Sequence, residues 1–302
     1  MRKFAIWASV AVTFVLAGVI WVIMTTPDAS QIKGCLKTSL YQVWLCETDN
    51  PNYRKLSDIS PYLKNAVLIS EDSGFYGHSG FDWDELRSSL EKNIRHGRAV
   101  RGGSTITQQL AKNVFLNSEK SFSRKIREAF LTVQIETLLT KDKIFEKYLN
   151  VIEFGPNIYG VEAASQYYFS KPSSQLNLLE AAYLTFLIPN PKVYSATHKK
   201  GQLTPFSRSR LVDLWYRLMK THRITEDQYE AAKKSLDAFP WAQLPQDIYA
   251  RINTNSKPAD VHDPIDETTF ENAPEDVPML ENNVDDNAVT EPDAEQTEPR
   301  QD

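Results

Sequence analysis

Residues 101–113 read Arg-Gly-Gly-Ser-Thr-Ile-Thr-Gln-Gln-Leu-Ala-Lys-Asn, and they predict a tight turn that leads into a helix. The paired glycines let the backbone turn sharply and approach a ligand closely, and Ser104 or Thr105 can cap the helix. Apolar residues at helical spacing over residues 106–114 give the helix one buried face. Free N–H groups and the helix dipole at such a start favour an anion, and Lys112 adds a positive charge. An ordinary capped surface helix has the same local pattern, so this stretch alone does not distinguish a surface helix from an anion-binding site.

Charge is distributed unevenly along the 302-residue chain, which has a net charge of −5. Residues 252–302 hold 15 acidic and 2 basic residues, whereas residues 1–251 carry a net charge of +8. The basic body suggests an anionic partner: a membrane surface, a phosphorylated substrate or nucleic acid. Residues 252–302 also contain six prolines and few aromatic residues, so we expect an acidic disordered tail.

An apolar run over residues 4–24 predicts a single transmembrane helix. A helix of this length spans about 31 Å, enough to cross the hydrocarbon core. Arg2 and Lys3 precede the run, so the N-terminus should stay in the cytoplasm while the rest of the chain crosses. A cleaved signal peptide is the alternative, but the run is long for one and no A-x-A site follows it. We therefore expect an uncleaved anchor within residues 1–25.

Two cysteines, Cys35 and Cys46, lie in the linker that we predict over residues 26–52. On the oxidising side of a membrane, a structural disulfide between them is favoured over two free thiols. The segment between them, residues 40–45, is rich in aromatic and branched residues and predicts a strand. The sequence contains no CxxC motif and no local Cys/His cluster, so a catalytic or metal-binding role for the cysteines is not predicted.

A carboxylate pair, Glu71 and Asp72, ends a predicted helix that begins at Ser60 and Pro61. The dipole at a helix C-terminus disfavours negative charge, and burial would raise the carboxyl pKa as well, as a general acid or base requires. A solvated helix end is the commoner arrangement and is the alternative interpretation. His78 follows the pair, and a lone histidine more often forms structural hydrogen bonds than takes part in catalysis.

The body has no other sustained period-two pattern, so we predict a mainly α fold. Asp82, Ser123 and Thr140 are expected to cap three helices. Four more helices are predicted over residues 161–169, 177–187, 205–222 and 226–236.

Three cations, Arg124, Lys125 and Arg127, crowd the first turns of the helix predicted after Ser123. The helix dipole disfavours positive charge at this end, so the cations need compensation. Arg124 and Glu128 could form an ordinary i,i+4 ion pair. The alternative is that the cations bind a polyanion.

Five motifs in order resemble the peptidoglycan glycosyltransferases that polymerise lipid II, most closely the monofunctional, membrane-anchored form. The motifs are Glu71-Asp72-x-x-Phe75-x-x-His78-x-Gly80-Phe81-Asp82, the stretch 102–113, Arg124-Lys125-x-x-Glu128, Lys147-Tyr148-Leu149-Asn150 with Gly155 after it, and Gly160-x-x-Ala163-Ala164-x-x-Tyr167-Tyr168-Phe169. Their order is far more specific than any one of them. The resemblance covers roughly residues 53–235 and implies a lysozyme-like, two-lobed α fold, in a domain that we place at residues 53–251.

The resemblance also implies roles for the matching residues. Glu71 matches the general base, which takes a proton from the acceptor sugar 4-hydroxyl as that hydroxyl attacks the donor anomeric carbon with inversion. Glu128 matches a second glutamate, which assists at the pyrophosphate or orients its neighbours. The residues that match the substrate site are Ser104, Gln108, Gln109, Lys112, Asn113, Arg124 and Lys125. The supporting residues are Asp72, Phe75, His78, Gly102, Gly103 and Thr105.

The implied partners are lipid II, the growing glycan chain, membrane lipid and other cell-wall synthesis or division proteins. Nucleic acid is not expected, because the implied location is the bacterial inner (cytoplasmic) membrane with the catalytic domain on the periplasmic side. Relatives often use a divalent cation, Mg²⁺ or Mn²⁺, at the pyrophosphate, but the sequence shows no metal-ligand cluster, so no cofactor is predicted to be required. Ser73 and Gly74 depart from the family pattern, where many relatives carry a bulkier or basic residue.

Two other function classes fit part of the sequence. A glycan-cleaving muramidase or lytic transglycosylase would share the fold but would not need Lys112, Arg124 and Lys125 to neutralise a pyrophosphate. A non-catalytic cell-wall scaffold would have no need to retain both Glu71 and Glu128. The cations and the two glutamates therefore favour the polymerase.

Overall fold

The structure, a computed structural model, describes residues 2–96, 103–119, 121–253 and 260–263. Helices dominate these residues, as the sequence predicts. The elements up to residue 159 are α1 (Arg2–Met24), α2 (Pro61–Glu71), α3 (Trp83–His96), α4 (Ile106–Phe115), α5 (Phe122–Leu138), α6 (Lys141–Val151), β1 (Glu153–Gly155) and β2 (Ile158–Tyr159). The later helices are α7 (Val161–Phe169), α8 (Leu178–Leu187), α9 (Pro191–Tyr194), α10 (Ala196–Lys200), α11 (Pro205–Lys220), α12 (Glu226–Lys234) and α13 (Gln246–Ile252).

The first helix is apolar and mostly unburied, and it meets the body near its C-terminal end. Trp7 and Phe14 are about three-quarters exposed, whereas Val22 is buried and Thr25 accepts a 3.1 Å hydrogen bond from Arg127 of α5. Among the described residues, this N-terminal region contains the one helix long and apolar enough to cross a membrane. The predicted apolar helix is therefore present, and its composition is compatible with membrane anchoring.

Two sets of packed helices supply the core. Helix α2 packs against α8 and α11, and α4 packs against α5 and α6. Leu63, Tyr183 and Trp215, from α2, α8 and α11, are completely buried. Each such side chain stabilises the fold by about 1.5–3 kcal/mol. This packing fixes the C-terminal end of α2 and the whole of α4, the two elements that carry most of the candidate site.

The helix caps agree with the predictions at two of three positions. Asp82 accepts from the Glu85 N–H at 2.7 Å, and Thr140 accepts from the Lys143 N–H at 3.4 Å. The predicted cap at Ser123 is wrong, because α5 begins at Phe122 and Ser121 accepts from the Arg124 N–H. Ser121 has the extended backbone that a capping residue needs, whereas Ser123 already lies within the helix.

Later helix bounds agree closely with the predictions. Helix α7 has the predicted bounds, and α8 begins one residue late because Asn177 serves as its N-cap. Helices α11 and α12 each end two residues before the predicted position.

The strand predicted over residues 40–45 is not formed. Cys35 and Cys46 are joined by a disulfide with a Cα–Cα distance of 5.0 Å, so the chain must reverse direction between them. Gln42 takes a left-handed backbone conformation at this reversal (φ 57°), and the only pairing is an isolated bridge between Lys37 and Trp44. The strands in the described residues are instead β1 and β2, which form a two-stranded antiparallel hairpin that the sequence did not indicate.

Packed structure continues past residue 251, where we predicted that the tail begins. Ile252 is completely buried, and residues 260–263 lie against the body. The Arg223 guanidinium donates to the backbone carbonyls of Asp260 and Asp263. The rest of the predicted disordered tail lies outside the described residues.

The same short segment contacts the loop that follows α2. His262 lies between Asp142 (2.9 Å) and Asp260 (2.7 Å), and its ring centroid is 4.6 Å from that of Tyr76. These two carboxylates raise the pKa of His262. The segment is therefore anchored by polar contacts at both ends.

Candidate active site

Glu71 ends α2 and lies half-buried beside α4. Its Oε2 accepts a hydrogen bond from Gln109 Nε2 at 3.0 Å. Burial raises the pKa of the Glu71 carboxyl, while hydrogen bonds from Gln109 and Ser70 oppose the rise. The direction of this shift is the one that the sequence predicts, and it suits a group that exchanges a proton with a substrate.

Asp72, the second carboxylate of the pair, is buried and joins two elements. Its Oδ2 accepts from the Ile106 backbone N–H at 2.9 Å, and its Oδ1 lies 2.9 Å from His78 Nε2. The Gly80 N–H donates to His78 Nδ1 at 3.2 Å, so a neutral His78 ring carries its proton on Nε2 and donates it to Asp72. Asp72 and His78 thus tie the loop after α2 to the first residue of α4.

The start of α4 is closed by its own side chains. Thr105, rather than Ser104, is the N-cap, and it forms a capping box with Gln108. Thr105 Oγ1 also donates to the Gly80 carbonyl at 2.7 Å. Gln108 is buried in this cap, so the structure gives it a helix-capping position, whereas the resemblance placed it in the substrate site.

Gln109 contacts a second buried residue besides Glu71. Its Oε1 accepts a hydrogen bond from the Tyr148 hydroxyl of α6 at 3.0 Å. Tyr148 is completely buried. Gln109 therefore lies between the end of α2 and the middle of α6.

A cluster of charged side chains forms at the first turns of α5. Glu128 is buried and accepts from Arg124 Nη1 at 3.0 Å and from Lys125 Nζ. Lys125 Nζ also lies 3.5 Å from the hydroxyl of Ser104, which is exposed. The predicted pairing of Arg124 with Glu128 is present, and Lys125 shares the same carboxylate. We call Arg124, Lys125 and Glu128 the cation cluster.

Lys112 lies within electrostatic range of both the cation cluster and Glu71. Burial lowers the pKa of the Lys112 ammonium, the negative charges of Glu128 and Glu71 oppose the decrease, and Arg124 and Lys125 add to it. Among the described residues, no side chain forms a hydrogen bond or ion pair with the Lys112 ammonium. This positive charge is therefore available to an anionic group placed between Glu71 and the cation cluster.

The remaining predicted site residues occupy structural or peripheral positions. Asn113 is buried, and its Oδ1 has no hydrogen-bond partner among the described residues. A Cβ added to Gly103 would lie 3.3 Å from Leu86, so this glycine permits close packing of α3. Phe75 is completely buried, with Lys141 above its ring. Gly102 lies outside the described residues.

The carboxylate oxygens at the cation cluster already have partners. Both oxygens of Glu128 accept from cations, Arg124 and Lys125. Asp72, His78 and Asp82 also have ligand atoms within 4.8 Å of one another. Asp72 and His78 are already hydrogen-bonded and Asp82 caps α3, so this group has fixed partners as well.

Two residues that influence Glu71 were not identified from the sequence. Tyr148 belongs to a quoted motif, but the resemblance gave it no role in the site. Arg217, on α11, is close enough for its charge to oppose the pKa rise of Glu71. Arg217 comes near Glu71 because α11 packs on α2. No local signal in the sequence therefore distinguishes it from the other basic residues of its helix.

Comparison with known proteins identifies similar sequences across this region. A family model described as Transglycosylase matches residues 38–213, more than half of the chain. The biosynthetic peptidoglycan transglycosylase of Chromobacterium violaceum is 53% identical over 136 residues, which cover 45% of this chain and 60% of that protein. Its counterpart in Azoarcus sp. is 54% identical over 136 residues, with 45% and 59% covered.

A longer match extends over more of a third relative. The biosynthetic peptidoglycan transglycosylase of Methylobacillus flagellatus is 41% identical over 182 residues, which cover 58% of this chain and 77% of that protein. The chain thus spans about three-fifths of the length of the first two relatives and more than two-thirds of the third.

Proposed function

Because the chain belongs to the transglycosylase family, we propose that it is a peptidoglycan glycosyltransferase. It polymerises lipid II into β-1,4-linked glycan strands and releases polyprenyl pyrophosphate. The observation that carries this proposal is that Lys112 interacts electrostatically both with Glu71, a carboxylate of raised pKa, and with the cation cluster at the start of α5. A base at one end and positive charge at the other match a sugar hydroxyl that displaces a pyrophosphate.

Glu71 acts as the general base in this proposal. The acceptor 4-hydroxyl loses its proton to the Glu71 carboxylate, and the oxygen electron pair forms the new bond to the donor anomeric carbon. The bond from that carbon to the pyrophosphate oxygen breaks, and its electron pair leaves with the pyrophosphate. Attack opposite to the leaving group inverts the anomeric centre. A positioned base contributes about 10²–10⁴-fold to such a step.

Lys112, Arg124 and Lys125 stabilise the negative charge that develops on the leaving pyrophosphate. Fixed positive groups in a partly buried site contribute more here than they would in water. Glu128 keeps Arg124 and Lys125 in place before substrate binds. In this proposal the three cations supply the positive charge at the pyrophosphate, and no step is assigned to a divalent cation.

Helix α1 and an exposed apolar residue of the body support a proposal for the finer location. We propose a single-pass protein of the bacterial inner membrane, with its N-terminus in the cytoplasm and its catalytic domain outside. Phe122 is 82% exposed and begins α5, the helix that α1 contacts. It therefore suits contact with lipid, whereas Phe115 and Leu116, which precede it in the chain, are buried.

Polymerisation of purified lipid II in detergent tests the proposal, with wild type compared with Glu71→Gln. Wild type should produce long glycan strands, and the variant should lose at least about 10³-fold in rate, as expected for removal of a catalytic base. Glu230→Gln removes an exposed carboxylate of α12 and should retain full activity.

Two outcomes would contradict the proposal. If wild type leaves lipid II intact but cuts preformed glycan, the muramidase interpretation replaces it. If wild type shows neither activity and Glu71→Gln supports normal cell-wall growth in cells, the scaffold interpretation replaces it.

A further inference from the structure

The two carboxylate oxygens of Glu71 have different surroundings. Oε2 accepts a 3.0 Å hydrogen bond from Gln109 Nε2, whereas Oε1 is 3.4 Å from the Ser70 hydroxyl. A distance of 3.4 Å between two oxygens is long for a hydrogen bond, which is usually 2.5–3.0 Å. Oε2 is therefore held firmly, while Oε1 keeps most of its capacity to accept a proton.

Gln109 can hold Oε2 only in one orientation of its amide group. If the amide were flipped, its oxygen would face the ionised carboxylate, and two acceptors would oppose each other. The ionised carboxylate favours the observed orientation, and the Tyr148 hydroxyl reinforces it by donating to Gln109 Oε1 at 3.0 Å. The hydrogen bonds thus run in one direction, from Tyr148 through Gln109 to Glu71.

Tyr148 is well suited to serve as a permanent donor. It is completely buried within α6, and burial raises the pKa of its hydroxyl far above the ordinary value. The hydroxyl is therefore protonated near neutral pH. The packing of α6 against α4 fixes the ring relative to Gln109.

We propose that Tyr148 is a positioning residue that orients Gln109, so that Gln109 holds Glu71 Oε2 and leaves Oε1 to take the substrate proton. The inference rests on the proposed function, because it concerns the base of that reaction. In the step, the acceptor O–H bond breaks and its proton moves to Oε1. The Gln109 N–H remains bonded to Oε2, which becomes the carbonyl oxygen of the protonated acid.

Other charged groups near Glu71 would affect the same proton. Asp72 follows it in the chain, Arg217 reaches it from α11, and Lys112 from α4 lies within electrostatic range. Tyr148→Phe leaves all three unchanged and keeps the aromatic ring. A change in the protonation of Glu71 in this variant can therefore be attributed to the lost hydroxyl.

The first measurement is the pH profile of lipid II polymerisation by full-length wild type and Tyr148→Phe in detergent. Without the hydroxyl, the Gln109 amide can turn its oxygen toward Glu71, an orientation that favours the protonated carboxyl. We expect kcat to decrease about tenfold, as for loss of one hydrogen bond in the transition state. KM should change less than twofold, and the acid limb of the profile should move to higher pH. An unchanged acid limb would overturn the proposal.

Tyr183→Phe is the matched control. Tyr183 is also completely buried, and its hydroxyl has a single side-chain partner, Thr197 Oγ1 at 2.8 Å, in the aromatic cluster around Phe239. The Tyr183→Phe variant should lose about as much stability as Tyr148→Phe, but it should keep the wild-type kcat and the wild-type acid limb of the pH profile. If both variants shift the acid limb equally, the effect is a general loss of packing and the positioning role is wrong.

A second measurement separates this inference from the proposed function because it needs no substrate. Thermal unfolding is followed from pH 4 to pH 9 for wild type, Glu71→Gln, Tyr148→Phe and the double variant. Tyr148→Phe should destabilise more at high pH than at low pH, and this pH dependence should vanish when Glu71 is glutamine. Such coupling in a protein that makes no glycan would support the positioning role and refute the polymerase. Glycan synthesis without this coupling would support the polymerase and refute the positioning role.

Discussion

Glu71 and Glu128 are both glutamates on helices of the same site, but their neighbours differ in charge. Neutral donors, Gln109 and Ser70, contact Glu71, whereas two cations, Arg124 and Lys125, contact Glu128. A neutral hydrogen bond orients a carboxylate without strongly opposing its protonation, whereas Arg124 and Lys125 form ion pairs with Glu128. The different surroundings of the two glutamates, rather than their residue type, therefore support different proposed roles: a base for Glu71 and a residue that positions cations for Glu128.

The contacts of Glu128 also explain how Arg124 and Lys125 remain available to an anionic ligand. Unpaired arginine and lysine side chains crowded at a helix N-terminus would repel one another and the helix dipole. Glu128 offsets this repulsion in the free protein. A pyrophosphate brings more negative charge than one carboxylate, so it can compete for the donors of Arg124 and Lys125 when it binds.

The largest expected effect comes from exchanging each glutamate for glutamine. Glu71→Gln should lose at least about 10³-fold in kcat because the base is gone. Glu128→Gln should lose about 10- to 100-fold, the value of the charged hydrogen bonds that hold the cations. Initial rates of lipid II polymerisation measure both. Equal losses would mean that the two carboxylates share one role.

A smaller effect is expected for Lys112→Met, which keeps the length of the side chain but removes the charge between the two glutamates. The rate of polymerisation should decrease about 100-fold, as for loss of one transition-state donor. Lys233→Met removes an exposed cation of α12 and serves as the control. Full activity in Lys112→Met would show that the pyrophosphate does not bind beside this residue.

The Glu71 carboxyl should make stability depend on pH, whereas a glutamine at this position should not. The folded pKa of Glu71 is raised, so the folded state binds a proton more readily than the unfolded state, and stability decreases as pH rises through the folded value. Glu71→Gln avoids this loss and should melt about 2 °C higher than wild type at pH 8. The difference should disappear near pH 4. A variant that melts lower at pH 8 would contradict the raised pKa.

The smallest effect is expected for Ser104→Ala. The Ser104 hydroxyl is exposed and lies 3.5 Å from Lys125 Nζ, while Glu128 holds the same ammonium more closely. Activity should therefore decrease less than about threefold, since an exposed neutral contact contributes little. A loss comparable with that of Glu128→Gln would show that Ser104, rather than Glu128, sets the position of Lys125.

Local signals in the sequence predicted much of the fold. Capping residues such as Asp82 and Thr140, together with helical spacing, were sufficient because their effects act within a few residues. The strand prediction at residues 40–45 failed because composition favoured an extended chain, whereas the disulfide-closed loop requires a reversal at Gln42.

The candidate site was predictable only in part. The motifs identified Glu71 and the cations, and burial gave Glu71 the predicted direction of pKa shift. The sequence could not show that Gln108 caps α4 and that Gln109 contacts Glu71. The two residues are adjacent and identical, so only the direction in which the helix points each side chain distinguishes them. The sequence also could not place Tyr148 or Arg217, which reach the site through tertiary packing.

The contact between Thr25 at the end of α1 and Arg127 of α5 has a consequence for the lipid part of the substrate. Arg127 lies within one helical turn of Arg124 and Glu128, so the cation cluster lies within about 5 Å along α5 of the end of the apolar helix. In the proposed membrane placement, the polyprenyl pyrophosphate meets the cations at the bilayer surface. Each methylene lifted out of the bilayer would cost about 0.8 kcal/mol. With cations at this height, the proposed substrate would bind without extraction of its polyprenyl chain.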